Sequence, residues 1–197
     1  MAATISNINK WTRIFSGTAE VSSTNPLPVG TSPAGTLTSG YTTAVSLTRT
    51  SDTNAYLAND VIGAATGSTA ALTFATMGPS AGNIRIISAE LEIDASAVIS
   101  GETSYRLHLY NVTPPSALGD NAAWDLPSGD RASYLGFVEL GTPVDLGATL
   151  YVEQNIINKE VRLIEPSLYA YCVTTAGYTA ASETVQFFNL LAVGLWP

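Results

Sequence analysis

Three carboxylates occupy alternate positions of one predicted strand, namely Glu90, Glu92 and Asp94. Alternate side chains of a strand point to the same face of a sheet, so these carboxylates are expected to lie side by side. Glycoside hydrolysis needs two carboxyl groups placed across a cleft, and a strand face can supply them. No aromatic residue is interleaved on the same strand face. We therefore interpret the three as a solvated face whose charges discourage edge association.

The chain contains one histidine, His108, and one cysteine, Cys172. A Ser/His/Asp triad needs the histidine beside an activated serine, and the G-x-S-x-G elbow that often carries such a serine is absent. His108 shares its strand face with Arg106 and Tyr110. We expect this face to be solvated and His108 to be a surface or interface hydrogen-bonding residue. Cys172 lies in an apolar strand and is expected to be a small buried hydrophobe. A lone histidine is also a weak metal ligand. We therefore predict no catalytic residue, no metal site, no cofactor and no enzymatic activity.

The longest irregular segment, residues 111–133, carries three aspartates at five-residue spacing: Asp120, Asp125 and Asp130. Carboxylate oxygens are calcium ligands, but this spacing does not match an EF-hand. Proline and glycine between the aspartates favour turns, so we interpret the carboxylates as turn caps.

Long loops in compact domains are often functional. The same segment contains Trp124 and Arg131, and we predict that Trp124, Asp125 and Arg131 contact a partner. Arg131 is expected to pair with one of the loop carboxylates.

Tyrosine is frequent in the predicted strands. Tyrosines can stack on sugars, as in carbohydrate-binding modules, but they are also common in half-buried strands and at interfaces. Several alternate with apolar positions, which favours a packing role. The residues concerned are Tyr105, Tyr110, Tyr134, Tyr151, Tyr169, Tyr171 and Tyr178.

The elements that position these residues are short β-strands. Residues 87–94 alternate strictly, with Ile87, Ala89, Leu91 and Ile93 on the apolar face, which is typical of an antiparallel sheet with one buried face. Turn signals separate the runs, and the whole predicts an all-β, antiparallel two-sheet sandwich of the jelly-roll type. The predicted strands span residues 45–49, 56–62, 70–75, 84–94, 104–111, 134–140, 149–153, 160–164, 168–174 and 185–193.

Composition limits the class of partner. Charged residues make up only 12% of the 197 residues, and 8 basic against 16 acidic residues give a net charge of −8. Nucleic-acid binding relies on basic patches, so we predict no nucleic-acid partner. No run of about 18 apolar residues exists, and the first 15 residues have no long apolar region, so we expect neither a membrane span nor a signal peptide.

We predict two parts: an extended N-terminal arm, residues 1–44, and a β-sandwich domain, residues 45–197. Residues 16–44 are rich in Ser, Thr, Gly and Pro, a composition that buries little apolar surface by itself. The alternative is an irregular first pair of strands wrapped on the core. Before this stretch, Trp11, Ile14 and Phe15 are predicted to bind a neighbouring subunit.

The last predicted strand is apolar on both faces, as expected for a central strand or one buried in a subunit interface. The Leu195 and Trp196 that follow it are predicted partner contacts. Apolar termini of this kind favour an oligomer.

Four segments carry a resemblance to a known family: YLANDVIG at 56–63, ISAELEID at 87–94, residues 105–136, and LYAYCVTT at 168–175. In their order they resemble the head decoration, or cement, proteins of tailed phages. The resemblance covers about residues 45–193 and includes no catalytic motif.

The resemblance implies a jelly-roll protein that binds the outside of an icosahedral phage capsid and stabilises it. It also implies that the major capsid protein is the partner, that the chain forms a homotrimer, and that it is made in the host cytoplasm and ends on the virion surface. The alternative function is a receptor- or carbohydrate-binding module of a phage tail or fibre.

Overall fold

The computed structural model describes residues 15–16, 19–20, 40–64, 69–155 and 157–195, with side chains for the last three ranges. Contacts divide the chain into two units, residues 1–37 and 38–197. In the first unit, β1 (Phe15–Ser16) pairs antiparallel with β2 (Ala19–Glu20). The side chains of Trp11, Ile14, Phe15 and Trp196 lie outside the described residues, so their predicted contacts stay predictions.

The larger sheet of the second unit has six strands. Five of them follow the order β3-β13-β6-β10-β9. The sixth, β11, also pairs with β6, at residues 83–86, whereas β10 pairs with residues 89–93. Every pairing in it is antiparallel. The strands are β3 (Gly40–Thr48), β6 (Asn83–Ile93), β9 (Val144–Asp145), β10 (Leu150–Gln154), β11 (Lys159–Arg162) and β13 (Val185–Leu195).

The smaller sheet has five strands. Four of them follow the order β4-β12-β7-β8. The fifth, β5, also pairs with β12, at residues 168–170, whereas β4 pairs with residues 172–173. Isolated bridges at Tyr56 and Asp60 extend its edge. Its strands are β4 (Val61–Ile62), β5 (Leu72–Phe74), β7 (Tyr105–Tyr110), β8 (Tyr134–Gly141) and β12 (Leu168–Thr174).

The pairings are nested along the chain. The first strand of the second unit, β3, pairs with the last, β13, while β4 and β5 pair with β12. Inside these, β6 pairs with β10 and β11, and β7 pairs with β8. This is a long antiparallel hairpin rolled so that successive pairs fall in alternate sheets, which is the jelly-roll topology. The predicted fold class is confirmed.

The core lies between the inner faces of the two sheets. Strand β6 supplies Ile84, Ile86, Ala89, Leu91 and Ile93, all buried. The predicted strict alternation through Ile87 is wrong, because β6 carries a bulge at this position opposite Leu191 and Ala192. The extra residue shifts the phase, so Ile87 is half-buried and its neighbour Ser88 is buried.

Most predicted strands are present, with differences in extent. Residues 56–62 form isolated bridges at Tyr56 and Asp60 followed by the two residues of β4, while β9 was not predicted. Strand β3 begins at Gly40, inside the predicted arm. Strand β13 lies between β3 and β6, and only one of its apolar faces packs on the core; the other lies on the outer face of the sheet, where Phe187 is 46% exposed.

Candidate functional site

The long loop 111–133 packs on the outer face of the smaller sheet. This face is not solvated, because a second apolar cluster lies between the loop and the strands. Tyr110 and Tyr171 from the sheet are buried in it, and Leu118, Trp124 and Leu126 from the loop pack against it. The loop also adds backbone hydrogen bonds along the sheet edge. The sandwich therefore has a third layer at this face, formed by irregular chain.

Asp120 fixes the middle of this loop through a buried polar network. Its carboxylate accepts hydrogen bonds from the Tyr56 hydroxyl at 2.6 Å and the Gly63 backbone N–H at 2.7 Å. Arg49 lies 3.8 Å from the same carboxylate, and its Nε donates to the Tyr56 hydroxyl at 2.5 Å. Both charged side chains are almost fully buried. The network joins the loop to residues that are distant in sequence, so Asp120 is a structural carboxylate.

Gly63 is required for this close approach. A Cβ atom at Gly63 would lie 2.7 Å from the Ala70 Cβ and 2.9 Å from the Asp120 backbone nitrogen. Contacts this short would push the loop away from the sheet edge and break the hydrogen bond from Gly63 to Asp120.

The two ends of the loop are held by Asp130 and Tyr171. Asp130 is buried and accepts from the Ser116 hydroxyl at 3.1 Å and from the Ser116 N–H at 3.3 Å. The Tyr171 hydroxyl donates to the Ser116 carbonyl at 2.8 Å and accepts from the Leu118 N–H at 3.2 Å. Asp130 thus links two parts of the loop and does not merely cap its own turn.

His108 is buried, and the prediction that it is solvated is wrong. It lies on the outer face of β7 as expected, but the loop covers that face. The Trp124 ring centroid is 3.7 Å from the imidazole centroid, and the Tyr134 hydroxyl lies 3.0 Å from Nδ1. Burial, and to a smaller degree the charge of Arg106, lowers the pKa of His108 from 6.5 to about 4. The imidazole is therefore neutral at neutral pH and serves packing.

The stability of the protein is expected to fall between pH 6.5 and pH 4 because of His108. In this window the unfolded histidine binds a proton while the folded one, with its lowered pKa, stays neutral. The loss approaches at most about 3 kcal/mol and levels off below pH 4. Urea unfolding across this range measures it, with His108→Gln as the comparison. Parallel pH profiles for the two proteins would contradict the shifted pKa.

The predicted partner residues of the loop differ in position. Trp124 is half-buried against His108, whereas Asp125 and Arg131 are exposed. Arg131 forms no ion pair with any residue for which the structure describes side chains, so its predicted pairing with a loop carboxylate is wrong. Leu195 is half-buried at the end of β13, opposite Asn83.

An aromatic patch borders the loop. Phe137 on β8 is 46% exposed and lies beside His108, with ring centroids 5.5 Å apart. The Arg106 guanidinium lies 5.3 Å from the Phe137 centroid and pairs with Glu139 at 2.7 Å. Sequence reasoning missed Phe137, since an isolated exposed aromatic on an edge strand carries no pattern.

The outer face of the larger sheet, which we call the open face, carries Glu90 and Glu92 of β6, whereas Asp94 is exposed just after the end of this strand. Glu92 is exposed between two aromatic residues, Phe187 on β13 and Tyr151 on β10, which are its register partners. The strand itself carries no aromatic residue, as noted from the sequence, but its neighbours place two on the same face of the sheet. Those aromatics come from strands distant in sequence, so the alternation of one strand could not reveal them.

Within the open face, Glu90 and Glu153 are direct cross-strand partners. The Asn189 side-chain amide donates to Glu90 at 3.1 Å, and no Arg or Lys described with its side chain pairs with either glutamate. Like charges directly opposite each other destabilise a sheet. Burial, and to a smaller degree the neighbouring glutamates, raises the pKa of Tyr151.

In the described ranges, no group of three or more His, Cys, Asp or Glu is placed to hold a metal ion. Cys172 is buried on β12, as predicted, and burial raises the pKa of its thiol. Within the same ranges no helix is long and apolar enough to span a membrane.

Topology and site together define a jelly-roll β-sandwich with one loop-covered face and one open face. No family model matches the chain, and no curated protein matches its sequence.

Among solved structures, similarity is weak. A chain of the native Kashmir bee virus virion at neutral pH shares 13% identity over 94% of this chain and 84% of its own, with a TM-score of 0.29. A Mud Crab Dicistrovirus chain shares 12% over 93% and 81%, with a TM-score of 0.32. A Clostridium thermocellum endo-1,4-beta-D-xylanase, with CBM22-1 and GH10 modules, shares 6% over 77% and 26%, with a TM-score of 0.28. Likeness at this level assigns neither a family nor a function to the chain.

Proposed function

We propose that this chain is a non-enzymatic structural protein of a phage particle that binds the outer surface of the capsid and stabilises it. The proposed partner is the major capsid protein, and the proposed form is a homotrimer without nucleic-acid or membrane contacts. The jelly-roll topology is compatible with this role but does not imply it, because jelly rolls serve many functions. The support comes from the open face.

The open face offers a broad surface for a protein partner. Phe187 lies on its central strand and is 46% exposed, with half-buried Leu191 and Val193 further along the same strand. On the adjacent edge strand β3, the residues opposite them are Ser46, Thr42 and Gly40, which are small and do not shield the apolar row. Burying exposed aromatic and aliphatic surface of this kind is the usual source of affinity at a protein interface.

The charge of the open face limits the class of partner further. Glu90, Glu92 and Glu153 give the open face a negative character, which repels phosphate backbones and a second copy of the same face. A partner with Lys or Arg around an apolar centre would remove the repulsion between Glu90 and Glu153. Such a surface on the capsid exterior is the proposed binding site. Three copies bound together would hold the shell more firmly than one, since attachment of the first raises the effective concentration of the others.

Replacing Phe187 with serine is expected to weaken attachment to the capsid at least tenfold while leaving the sandwich folded, because the side chain contributes little to the core. The matched control is Ile164→Ser, which removes an exposed apolar residue, 57% exposed, outside the open face. Occupancy of purified phage shells titrated with each protein measures the effect. Equal occupancy for Phe187→Ser and Ile164→Ser would reject the open face as the contact.

Cryo-electron microscopy of the virion tests the proposed function itself. Density for the jelly roll on the shell exterior, in groups of three, is the expected result. A virion whose shell lacks this chain, or one that carries it on the tail, would overturn the proposal.

A second candidate, carbohydrate binding, is favoured by the aromatic patch. Phe137, Trp124 and Tyr134 surround His108 beside the Arg106–Glu139 ion pair, and such a mixture can stack on and hydrogen-bond a sugar. Binding on a glycan array that disappears in Phe137→Ala and persists in Phe187→Ala would support it. Binding unaffected by Phe137→Ala would remove the patch from consideration.

A further inference from the structure

Two buried polar atoms on neighbouring strands have no hydrogen-bond partner among the described residues. One is the Nη2 of Arg49, which follows β3, and the other is the Oε1 of Gln186 on β13. The two residues are 2% and 1% exposed, respectively. Buried polar groups without partners are rare in folded proteins and call for an explanation.

Both side chains line the same small cavity at one end of the sandwich. The cavity volume is about 10 Å³, which is enough for one water molecule and for little else. Glu102, Thr184 and Tyr178 also line this cavity and supply further polar groups. Two buried polar atoms without a hydrogen-bond partner and room for one water meet both conditions for a buried water.

The other polar groups around the cavity already have protein partners, which leaves Arg49 and Gln186 as the open pair. The Glu102 carboxylate accepts from the Tyr105 hydroxyl and from the Ile99 N–H. The Thr184 hydroxyl donates to the Ala181 carbonyl at 2.8 Å. The Nη1 of Arg49 donates to the same carbonyl at 2.8 Å. Its Nη2 lies 3.5 Å from the Asp52 carboxylate and 3.8 Å from the Asp120 carboxylate, but it donates a hydrogen bond to neither, so its N–H groups are open to a further acceptor.

We propose that this cavity is a binding site for a single structural water, which accepts from the Arg49 Nη2 and donates to the Gln186 Oε1. A guanidinium supplies only donors and a carbonyl oxygen only an acceptor, so water matches the pair on both sides. The water extends the polar network of Asp120, Tyr56 and Arg49 to the central strand of the larger sheet. Loop 111–133 and β13 are thereby connected through one hydrogen-bonded path.

Oxygen-17 magnetic relaxation dispersion of the full chain tests this, because it counts waters held inside a protein. The wild type is expected to hold one more long-lived water than Gln186→Met, which keeps the side-chain length but removes the acceptor. Gln154→Met, at an exposed position, is the matched control and is expected to keep the wild-type count.

A crystal structure of the wild type provides the second measurement and does not depend on any variant folding. Density for one water within hydrogen-bond distance of both atoms is the expected result. A dry cavity, a direct contact between Arg49 and Gln186, or an unchanged water count in a folded Gln186→Met protein would overturn the proposal.

Discussion

Replacing Asp120 with alanine is expected to lower the free energy of unfolding by about 3–5 kcal/mol, the usual range for removing one partner of a buried ion pair. The substitution leaves the Arg49 charge, the Tyr56 hydroxyl and the Gly63 N–H without this acceptor in a buried site. Each loss is costly, since a buried donor that loses its partner cannot turn to water. Chemical denaturation monitored by tryptophan fluorescence measures the change.

Asp125→Ala is the matched control for Asp120→Ala. Both residues are loop aspartates five positions apart, but Asp125 is exposed. Its substitution is expected to change stability by no more than about 0.5 kcal/mol, as for most surface positions. Similar losses for the two variants would show that the buried network does not distinguish them.

Replacing Trp124 with alanine is expected to cost about 2 to 3 kcal/mol, somewhat less than a fully buried tryptophan, because the indole is half-buried. The variant should also expose His108 to water. Its pKa is therefore expected to rise from about 4 toward 6.5, which NMR titration of the imidazole measures directly.

Phe187→Ala serves as the control for Trp124→Ala, because it removes an aromatic residue from the opposite face of the sandwich. It is expected to leave the His108 pKa unchanged. A His108 pKa that stays near 4 in Trp124→Ala would mean that the indole is not what shields the imidazole.

The fold class could be predicted because period two is a local property. Each strand records in its own residues which side faces the core, and turn residues record where it ends. The limit of this reasoning appears at Ile87, where a bulge changes the phase without any change in the sequence pattern. A bulge depends on the pairing with β13, which lies about a hundred residues later in the chain.

The site was harder to predict, because polarity does not show which face a loop covers. The strand face that carries Arg106, His108 and Tyr110 was expected to be solvent-exposed, since these residue types are compatible with water. In the structure, loop 111–133 lies over this face and buries His108 and Tyr110. Similarly, Asp120 and Asp125 are alike in sequence, and only the position of Tyr56 and Gly63 makes one of them essential to the fold.

The alternation of apolar and polar residues was enough to predict that Glu90 and Glu92 belong to an antiparallel sheet and lie on its outer face. Their neighbours depend on how the chain folds: Phe187 and Tyr151 flank Glu92, and Glu153 faces Glu90. The physical reason is that side-chain direction follows from the geometry of one strand, whereas neighbours across a sheet follow from pairings between distant segments.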